Sequence, residues 1–424
     1  MRNRKPQYLG LSALVMSLMT VVAACGSSSH SASSGAATSS GPTPTGTPIK
    51  VGLAIAKSGF NAVQYGAAEA TAQAWAASVN ATGGLGGHPV QIVVADTAGT
   101  PATALKAANQ LVDDDGVAAL LISDSATEAA LGPVLAKKTI PVIGSYGFAP
   151  TWQTTANFFP SDVLSPGSQQ GDIPAAASIG VKNIFAVVCA EAPSCAQTGP
   201  PLSAQAKADG RVNYVGLATA AATDADFTSQ CLAAIQAKAQ GIILALTTDV
   251  AVRVERACIQ QGYTGSFILG PGPWVLNQLD GVSGAKYAGL LGAFPWWVDA
   301  PPVNAFRAAM QKYAPKTDVR SVFATGMWSS LELFKIAVGK VQGDVTAASV
   351  LAAYGTIKDE TVGGLLPYPV SYTAGQPTVV PKCFWLVNYT AGDKTPKVLH
   401  DGKNGNGASG DLASSCLTVD ATKS

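Results

Sequence analysis

Charged side chains are scarce in this chain, and so are the residues from which most catalytic and metal sites are built. Only 12% of the 424 residues are Asp, Glu, Lys or Arg, the formal net charge is +1, and there are 3 histidines. No basic stripe or acidic block occurs, which argues against nucleic acid as a partner. Because histidines are few and no CxxC pair is present, we expect neither a metal site nor a cofactor.

Motifs of common enzymes are also missing. No GxSxG elbow occurs, and the SxxK match at residues 283–286 lacks the Ser-Asp-Asn and Lys-Thr-Gly elements that would accompany it. A serine triad would have to use His88, which lies in a Gly-Gly-His-Pro turn. The glycines at 83–87 follow a helical pattern rather than a strand, unlike a dinucleotide-binding loop. We therefore predict a protein that is not an enzyme, with a secreted serine hydrolase as the alternative.

A long hydrophobic run stands only at the amino terminus. Basic residues at positions 2, 4 and 5 precede an uncharged apolar stretch from Leu9 to Ala24, a pattern typical of an export signal. The sequence Val-Ala-Ala-Cys, ending at Cys25, resembles a bacterial lipobox, in which the cysteine is acylated. A short uncleaved anchor is the alternative, but a spanning helix needs about 20 apolar residues. We predict a signal peptide over 1–24, lipidation of Cys25 and a flexible Ser/Gly/Thr/Pro-rich tether over 25–48.

The other cysteines are consistent with an exported protein. Six remain after Cys25, and an even number in an oxidising compartment suggests disulfides. Six cysteines permit 15 pairings, and the sequence does not choose among them. Our prediction pairs sequence neighbours: Cys189–Cys195, Cys231–Cys258 and Cys383–Cys416.

Short apolar runs alternate with helical patterns from Ile49 onward, which is typical of βαβ units around a parallel sheet. The rhythm occurs twice, on either side of a Pro- and Gly-rich stretch near 160–175 that we interpret as a crossover. The predicted strands are 49–55, 90–95, 117–122 and 140–144 in the first set, and 183–189, 212–217, 241–246 and 266–270 in the second. We predict an α/β fold with two doubly wound parallel-sheet lobes. The predicted bounds are 49–165 plus 296–362 for lobe I, 166–295 plus 363–390 for lobe II, and 391–424 for a tail packed on lobe II.

Many short motifs occur in a set order from Ile49 to about Asn388. They are the segments 49–52, 58–59, 65–66, 79–84, 86–90, 95–96, 111–112, 140–143, 223–227 and 258–263. In that order they resemble the branched-chain amino-acid-type periplasmic binding proteins of ABC transporters. The resemblance implies a type I binding fold, whose lobes are joined by three hinge crossings and close on a small ligand. It also implies delivery of that ligand to permease subunits in the membrane.

Candidate ligand contacts follow the predicted strands, because ligands of open parallel sheets bind beyond the carboxyl ends of the strands. Position alone suggests Ser58, Thr127 and Asp249, although such residues can equally be helix caps. The resemblance places ligand contacts at Tyr65 and Ser125, where the family residues are retained. It places others, with changed residue types, at Tyr146, Phe148, Thr247 and Gly272.

The change at Gly272 shapes the predicted ligand. The family's glutamate, which pairs with the ligand ammonium, is absent there, and a buried ammonium without a counter-charge is costly. Tyr146, Phe148 and Trp274 would add aromatic walls, although such rings can also belong to a lobe core. We therefore predict a partly hydrophobic ligand other than an amino acid, held by a monomer on the outer face of the cell membrane. A sensor for a signalling receptor is the alternative.

Overall fold

Two β-sheets organise the chain, each at the centre of its own lobe. The structure is a computed structural model, and it describes residues 42–59, 61–144, 147–191, 195, 197–270, 272 and 274–419. The predicted signal peptide, Cys25 and most of the predicted tether lie outside the described residues. Within the described part, no helix combines the length and the hydropathy that crossing a bilayer requires.

The strands of the first sheet come from the first part of the chain, and those of the second sheet from the remainder. The first five are β1 Ile49–Ile55, β2 Val90–Asp96, β3 Ala119–Ser123, β4 Val142–Gly144 and β5 Phe158–Pro160. The next five are β6 Asn183–Cys189, β7 Asn213–Ala220, β8 Gly241–Ala245, β9 Ser266–Leu269 and β10 Lys286–Leu291. The last four are β11 Cys383–Thr390, β12 Lys397–Leu399, β13 Lys403–Asn404 and β14 Ser415–Cys416.

The helices alternate with these strands over most of the chain. Those of the first half are α1 Ala62–Asn80, α2 Pro101–Asn109, α3 Glu128–Leu135, α4 Thr151–Thr154, α5 Ser165–Ser178 and α6 Gly199–Asp209. Those of the second half are α7 Thr228–Gln236, α8 Thr248–Gln260, α9 Leu276–Leu279, α10 Pro301–Tyr313, α11 Val322–Gly339 and α12 Ala347–Tyr354. A π-helical turn, Gln110–Asp114, extends α2.

The first lobe is built on a fully parallel sheet with strand order β2-β1-β3-β4-β5. Strand β1, with the sequence IKVGLAI, is buried along almost its whole length, as expected for a strand covered on both faces. Helices α10 and α11 come from much later in the chain, yet both pack on α1. The first lobe therefore combines an early and a late part of the sequence.

The second lobe has a parallel centre and an antiparallel edge. Strands β7, β6, β8, β9 and β10 run parallel in that order, and β11 then pairs antiparallel with β10. Strands β12 and β14 both pair antiparallel with β11. The predicted α/β fold with two lobes is confirmed, but the second sheet is not purely parallel, because the chain after β11 folds back onto it.

The Pro- and Gly-rich stretch near 160–175 contains the predicted crossover, but most of it is helical. The crossing itself is short, and helix α5 begins at Ser165. Pro166 stands in the first turn of α5, where a helix needs no backbone N–H. Gly171 lets α5 approach the sheet, since a β-carbon there would lie 2.6 Å from side-chain atoms of Leu290 and Phe384. Tertiary packing thus makes a helix from residues with weak helical preference.

The segments that connect the lobes contact one another. A β-carbon at Gly292, after β10, would lie 2.5 Å from Oδ1 of Asp162, which follows β5. The hydroxyl of Tyr368, in the segment before β11, donates to the backbone oxygen of Asp162 at 3.2 Å. Tyr372 donates to the backbone oxygen of Pro160 at 2.7 Å. The chain therefore crosses between the sheets three times, and the crossings are packed together.

All three predicted disulfides form in the structure. Cys189–Cys195 follows β6, Cys231–Cys258 joins α7 to α8, and Cys383–Cys416 joins β11 to β14. The last of these fastens the tail to the second sheet. The indole N–H of Trp385 adds to that attachment by donating to the backbone oxygen of Leu412 at 2.9 Å.

Candidate functional site

The carboxyl ends of the strands of the two lobes face each other, and we call the region between them the cleft. Helix α1 starts just beyond the carboxyl end of β1, α8 starts just beyond that of β8, and the two helices contact each other. After β9, a β-carbon at Gly272 would have Nε2 of Gln64, from α1, at 3.9 Å. The cleft thus occupies the place where open parallel sheets bind ligands.

The lobes also touch beside this cleft. The backbone N–H of Leu276, in α9, donates to the backbone oxygen of Arg320 at 3.0 Å. The guanidinium of Arg320, just before α11, lies 2.9 Å from Oδ2 of Asp280. Both partners of this ion pair are about one-third exposed, so the pair is worth little on its own. It nevertheless shows that the lobes are in contact in this structure.

Asp124 organises the first lobe's side of the cleft. It follows β3, is 1% exposed, and accepts from Asn61 Nδ2 at 2.7 Å, from the Thr97 hydroxyl and from the backbone N–H of Ala126 at 3.1 Å. These donors come from three loops, each of which follows a different strand of the sheet. A buried carboxylate with several donors is a stable arrangement, and it fixes those loops relative to one another.

Glu128 holds the next loop. Its Oε2 accepts from the backbone N–H groups of Phe148 at 2.6 Å and Ala149 at 2.9 Å, and from Trp152 Nε1 at 3.0 Å. Burial raises the pKa of the Glu128 carboxyl to about 7, against the three hydrogen bonds, which favour the charged form. The loop that carries Phe148 therefore depends on a carboxyl group that titrates near neutral pH.

Tyr65 connects α1 to the loop after β3. Its hydroxyl accepts from the backbone N–H of Ser125 at 2.9 Å, and its ring packs edge-on against Phe323 with 4.7 Å between centroids. Burial raises the pKa of this phenol. A cavity of about 20 Å³ lies beneath, lined in part by Tyr65, Asp124, Glu128 and Phe323, and it is large enough for about one water molecule.

Buried polar groups on the second lobe's side are arranged differently. Gln170 Oε1 and Asp172 Oδ1 on α5, and Thr248 Oγ1 at the start of α8, have no hydrogen-bond partner among the described residues. Gln64 Oε1, on the first lobe's helix α1, is in the same condition. Each of these four residues is at most 6% exposed. Buried polar atoms are nearly always satisfied, so this set is suited to groups that a ligand would supply.

The structure brings four of the predicted site residues together in the first lobe. Tyr65 and Ser125 are hydrogen-bonded, and Thr127, which is fully buried, donates to the backbone oxygen of Asp124 at 3.2 Å. Phe148 is half-buried and joins the group through Glu128. Tyr146 lies outside the described residues.

The other predicted site residues have different surroundings. Ser58 is exposed, and its hydroxyl donates to Asp96 Oδ2 at 2.8 Å. Thr247 is the half-buried N-cap residue of α8, and Asp249 is exposed in the first turn of that helix. The indole of Trp274 is completely buried, donates to the backbone oxygen of Leu269 at 3.3 Å and packs near Tyr287. Trp274 therefore contributes to the interior of the second lobe.

Sequence reasoning did not single out several residues that the cleft brings together. They are Gln64, Asp124, Glu128, Asp172 and Thr248. Four of them adjoin predicted residues in the sequence: Gln64 precedes Tyr65, Asp124 precedes Ser125, Glu128 follows Thr127, and Thr248 follows Thr247. Asp172 lies inside the stretch interpreted as a crossover, where no signal pointed to a helix at the cleft.

A larger pocket of about 370 Å³ lies elsewhere on the first lobe. It is formed by α1, α10, α11 and residues near 360–365, and Trp75, Trp328, Glu332 and Lys335 are among its lining residues. The Trp75 indole donates to Glu332 at 2.7 Å, and Lys335 pairs with the same carboxylate at 3.2 Å. None of the predicted site residues lines this pocket.

Two α/β lobes joined by three crossings, with a polar cleft at the strand ends, define a type I periplasmic binding fold. The periplasmic binding protein family matches residues 48–393, and the chain belongs to this family. The resemblance to the branched-chain amino-acid-type members is thereby confirmed. No curated protein matches the sequence significantly.

Solved structures share the fold at low sequence identity. A leucine-binding protein from Thermotoga maritima is 14% identical with a TM-score of 0.67, and the match covers 83% of this chain and 97% of that one. An ABC-transporter solute-binding protein from R. palustris in complex with benzoate is 18% identical, with a TM-score of 0.66 and coverages of 84% and 96%. A fatty acid ABC transporter substrate-binding protein from Thermomonospora curvata is 16% identical, with a TM-score of 0.69 and coverages of 85% and 93%.

Proposed function

We propose that this protein binds a small, partly hydrophobic or aromatic molecule other than an amino acid and presents it to an ABC importer. The observation that carries the proposal is the set of buried polar atoms that both lobes bring to the cleft without partners among the described residues. Such atoms gain most from a ligand that touches both lobes at once. A ligand of that kind favours the closed arrangement, because it makes more contacts there than with either lobe alone.

The nature of the ligand follows from what the cleft has and lacks. At Gly272, the position of the family's glutamate, only Nε2 of Gln64 would lie within 4 Å of a β-carbon among the described residues. The half-buried Phe148 supplies apolar surface on the opposite lobe. The benzoate and fatty acid named for two structural relatives agree with a ligand that has an apolar body and few polar groups.

Closure requires a hinge, and the packed crossings supply a suitable one. Asp162, Gly292 and Tyr368 belong to three different crossings, and Asp162 contacts both of the others. Small backbone rotations in these segments would move the lobes relative to each other without disturbing either sheet. The closed surface would then be presented to the permease subunits.

We also propose that the protein acts as a monomer at the outer face of the cell membrane, held there by lipid on Cys25. The support is the sequence pattern at 1–25 and the Ser/Gly-rich segment that follows it. A flexible tether of that kind keeps a two-lobed body near its permease while leaving it free to open. Metabolic labelling with a radioactive fatty acid should label the wild-type protein and not the Cys25→Ser variant, and equal labelling would contradict the anchor.

A thermal-shift screen of the purified protein tests the ligand proposal. The compounds should include aromatic acids, fatty acids, aromatic amides and the branched-chain amino acids. Stabilisation by one class without chemical conversion supports a binding protein, and small-angle scattering of that complex should show a smaller radius of gyration. Phe148→Ala should weaken binding of the hit severalfold. Stabilisation by leucine alone would contradict the proposed ligand class, and a screen in which no compound stabilises the protein would contradict the function.

A transport assay separates an importer from a sensor. Deleting the gene should abolish uptake of the screened ligand, and the protein should co-purify with permease subunits. Normal uptake together with co-purification of a receptor kinase would support a sensor instead.

A further inference from the structure

We infer that Asp172 faces the bound ligand and that the ligand presents a hydrogen-bond donor, such as a hydroxyl or amino group, to its carboxyl oxygen. The inference rests on the proposed function and deepens it by naming a chemical group that the ligand must carry. It concerns a residue on α5, the helix that enters the second lobe from the first crossing.

The position of Asp172 follows from the glycines after β9. A β-carbon at Gly270 would have only Oδ1 of Asp172 within 4 Å among the described residues, at 4.0 Å. A β-carbon at Gly272 would likewise have only Nε2 of Gln64, at 3.9 Å. The missing side chains of these two glycines therefore leave room that Asp172 borders on one side and Gln64 on the other. That room lies at the carboxyl end of a central strand of the second sheet.

The deep burial of Asp172 without a hydrogen-bond partner for Oδ1 is unusual for a residue with only a structural role. It is 2% exposed, and its Oδ1 has no partner among the described residues. A buried acceptor without a donor costs about 1–3 kcal/mol, and more when the group is charged. Burial alone raises the pKa of this carboxyl well above its usual range. A group that is held at such a cost, beside open space in a ligand cleft, is well placed to receive a donor from the ligand.

The chemistry of the neighbouring atoms points the same way. The unpartnered atom of Gln64 is an amide oxygen, which accepts hydrogen bonds as a carboxylate oxygen does, whereas the Gln64 atom nearest Gly272 is Nε2, a donor. A ligand that directs a donor at Asp172 satisfies the acceptor on that side of the room, and a ligand without a donor leaves it unsatisfied. Gly272 stands where the family has its glutamate, so that position supplies no acid. The acid on this side of the cleft is Asp172, which belongs to helix α5 instead.

Matched pairs of probe compounds test this inference. In each pair a donor replaces a methyl group of about the same size: 4-hydroxybenzoate against 4-methylbenzoate, 12-hydroxydodecanoate against tridecanoate, and leucine against 2,4-dimethylpentanoate. We expect at least one donor-bearing compound to bind the purified wild-type protein about 10-fold or more tightly than its partner, as measured by titration calorimetry.

Three variants assign the preference to Asp172. Asp172→Leu removes both acceptors, and the preference of the hit pair should fall to within about 2-fold. Asp172→Asn keeps one acceptor without charge, so a preference for a hydroxyl should largely survive while a preference for an ammonium should be lost. The control is Glu255→Gln, because Glu255 is also fully buried in the second lobe and also has one carboxyl oxygen without a partner among the described residues, but its other oxygen accepts from the Tyr287 hydroxyl at 2.8 Å and it does not border Gly270 or Gly272. It should leave the preference unchanged.

The outcomes separate this inference from the proposed function. A preference that survives Asp172→Leu, or binding of wild-type protein only to the compounds without a donor, overturns the role of Asp172 while the protein remains a binding protein. Binding of leucine with loss of preference in Asp172→Leu supports the inference and removes the proposal that the ligand is not an amino acid. No binding by any compound, here and in the wider screen, overturns the proposed function and this inference together.

Discussion

The two sides of the cleft are built on the same architectural plan but satisfy their polar groups differently. In the first lobe, Asp124 and Glu128 are buried and each accepts from donors on other loops. In the second lobe, Asp172 and Thr248 are equally buried and present atoms without partners among the described residues. The acids of the first side are thus satisfied before a ligand arrives, whereas Asp172 keeps unused bonding capacity for it, as Asn61 and Gln64 of the first lobe do through one amide oxygen each. The satisfied acids stabilise the fold, and the unsatisfied one reduces stability in exchange for binding.

The largest effect is expected from removing a satisfied acid of the first lobe. Glu128→Leu leaves the donors of Phe148, Ala149 and Trp152 without their acceptor, and we expect a loss of about 3–5 kcal/mol in the free energy of unfolding. Urea unfolding at pH 6 measures it. Glu255→Leu is the matched variant in the second lobe, where only one donor, the Tyr287 hydroxyl, loses its acceptor. Its loss should be clearly smaller, and equal losses would contradict the comparison.

The pH dependence of stability should reveal the same acid. The pKa of Glu128 is about 7 in the folded protein against an ordinary value of 4.5, so the folded state binds its proton more tightly. Its contribution to stability is complete below about pH 4.5 and is lost as the pH rises through about 7. We expect the free energy of unfolding to fall by about 2–3 kcal/mol over that range from this group.

Glu128→Gln sharpens that prediction, because it removes the titration while keeping a similar shape. The variant should show a shallower fall in stability between pH 5 and pH 7 than the wild type, when both are measured by urea unfolding. Asp162 and Glu255 have pKa values raised to about 8 by burial, so a residual slope should remain. An unchanged slope in the variant would mean that Glu128 does not titrate in this range.

The elements of the fold that the sequence predicts well are those whose burial pattern is local. Strands such as β1 and β6 are continuous apolar runs, because a central parallel strand is covered on both faces. Strand β5 has only three residues, and β10 lies among glycines, so neither has a recognisable pattern. Helix α5 cannot be recognised from the sequence for a similar reason, since its prolines and glycines are tolerated only through packing on the sheet.

The same distinction between local pattern and tertiary packing applies to the candidate site. Tyr65, Ser125, Thr127 and Phe148 come together because each lies just beyond a strand of one sheet, and topology alone predicts that meeting. Asp172 lies more than one helical turn from the start of α5, and its position depends on how that helix packs against the sheet at β9. Trp274 follows a strand as predicted, but its indole turns inward to bond Leu269. Sequence position indicates which loops reach the cleft, whereas the direction of each side chain depends on packing.

Replacing the unsatisfied acid should have the opposite sign to replacing Glu128. Asp172→Leu removes a buried carboxyl oxygen without a partner and fills part of the same volume, so we expect the ligand-free protein to gain about 1–2 kcal/mol. Thermal unfolding without ligand measures the change. A loss similar to that of Glu128→Leu would show that Asp172 has a structural partner and that the two lobes do not differ in this respect.

The smallest effect comes from one substitution made at a similar place in each lobe. Thr127 is the N-cap residue of α3 in the first lobe, Thr248 is the first residue of α8 in the second, and both lie beyond a strand of their sheet and are buried. The Thr127 hydroxyl donates to the backbone oxygen of Asp124, whereas the Thr248 hydroxyl has no partner among the described residues. Valine has nearly the shape of threonine without the hydroxyl. Thr127→Val should therefore cost about 1 kcal/mol, and Thr248→Val should be neutral or stabilise by up to about 1 kcal/mol, in urea unfolding of the ligand-free protein. Changes of the same sign in both variants would mean that the second lobe's polar groups are satisfied before the ligand binds.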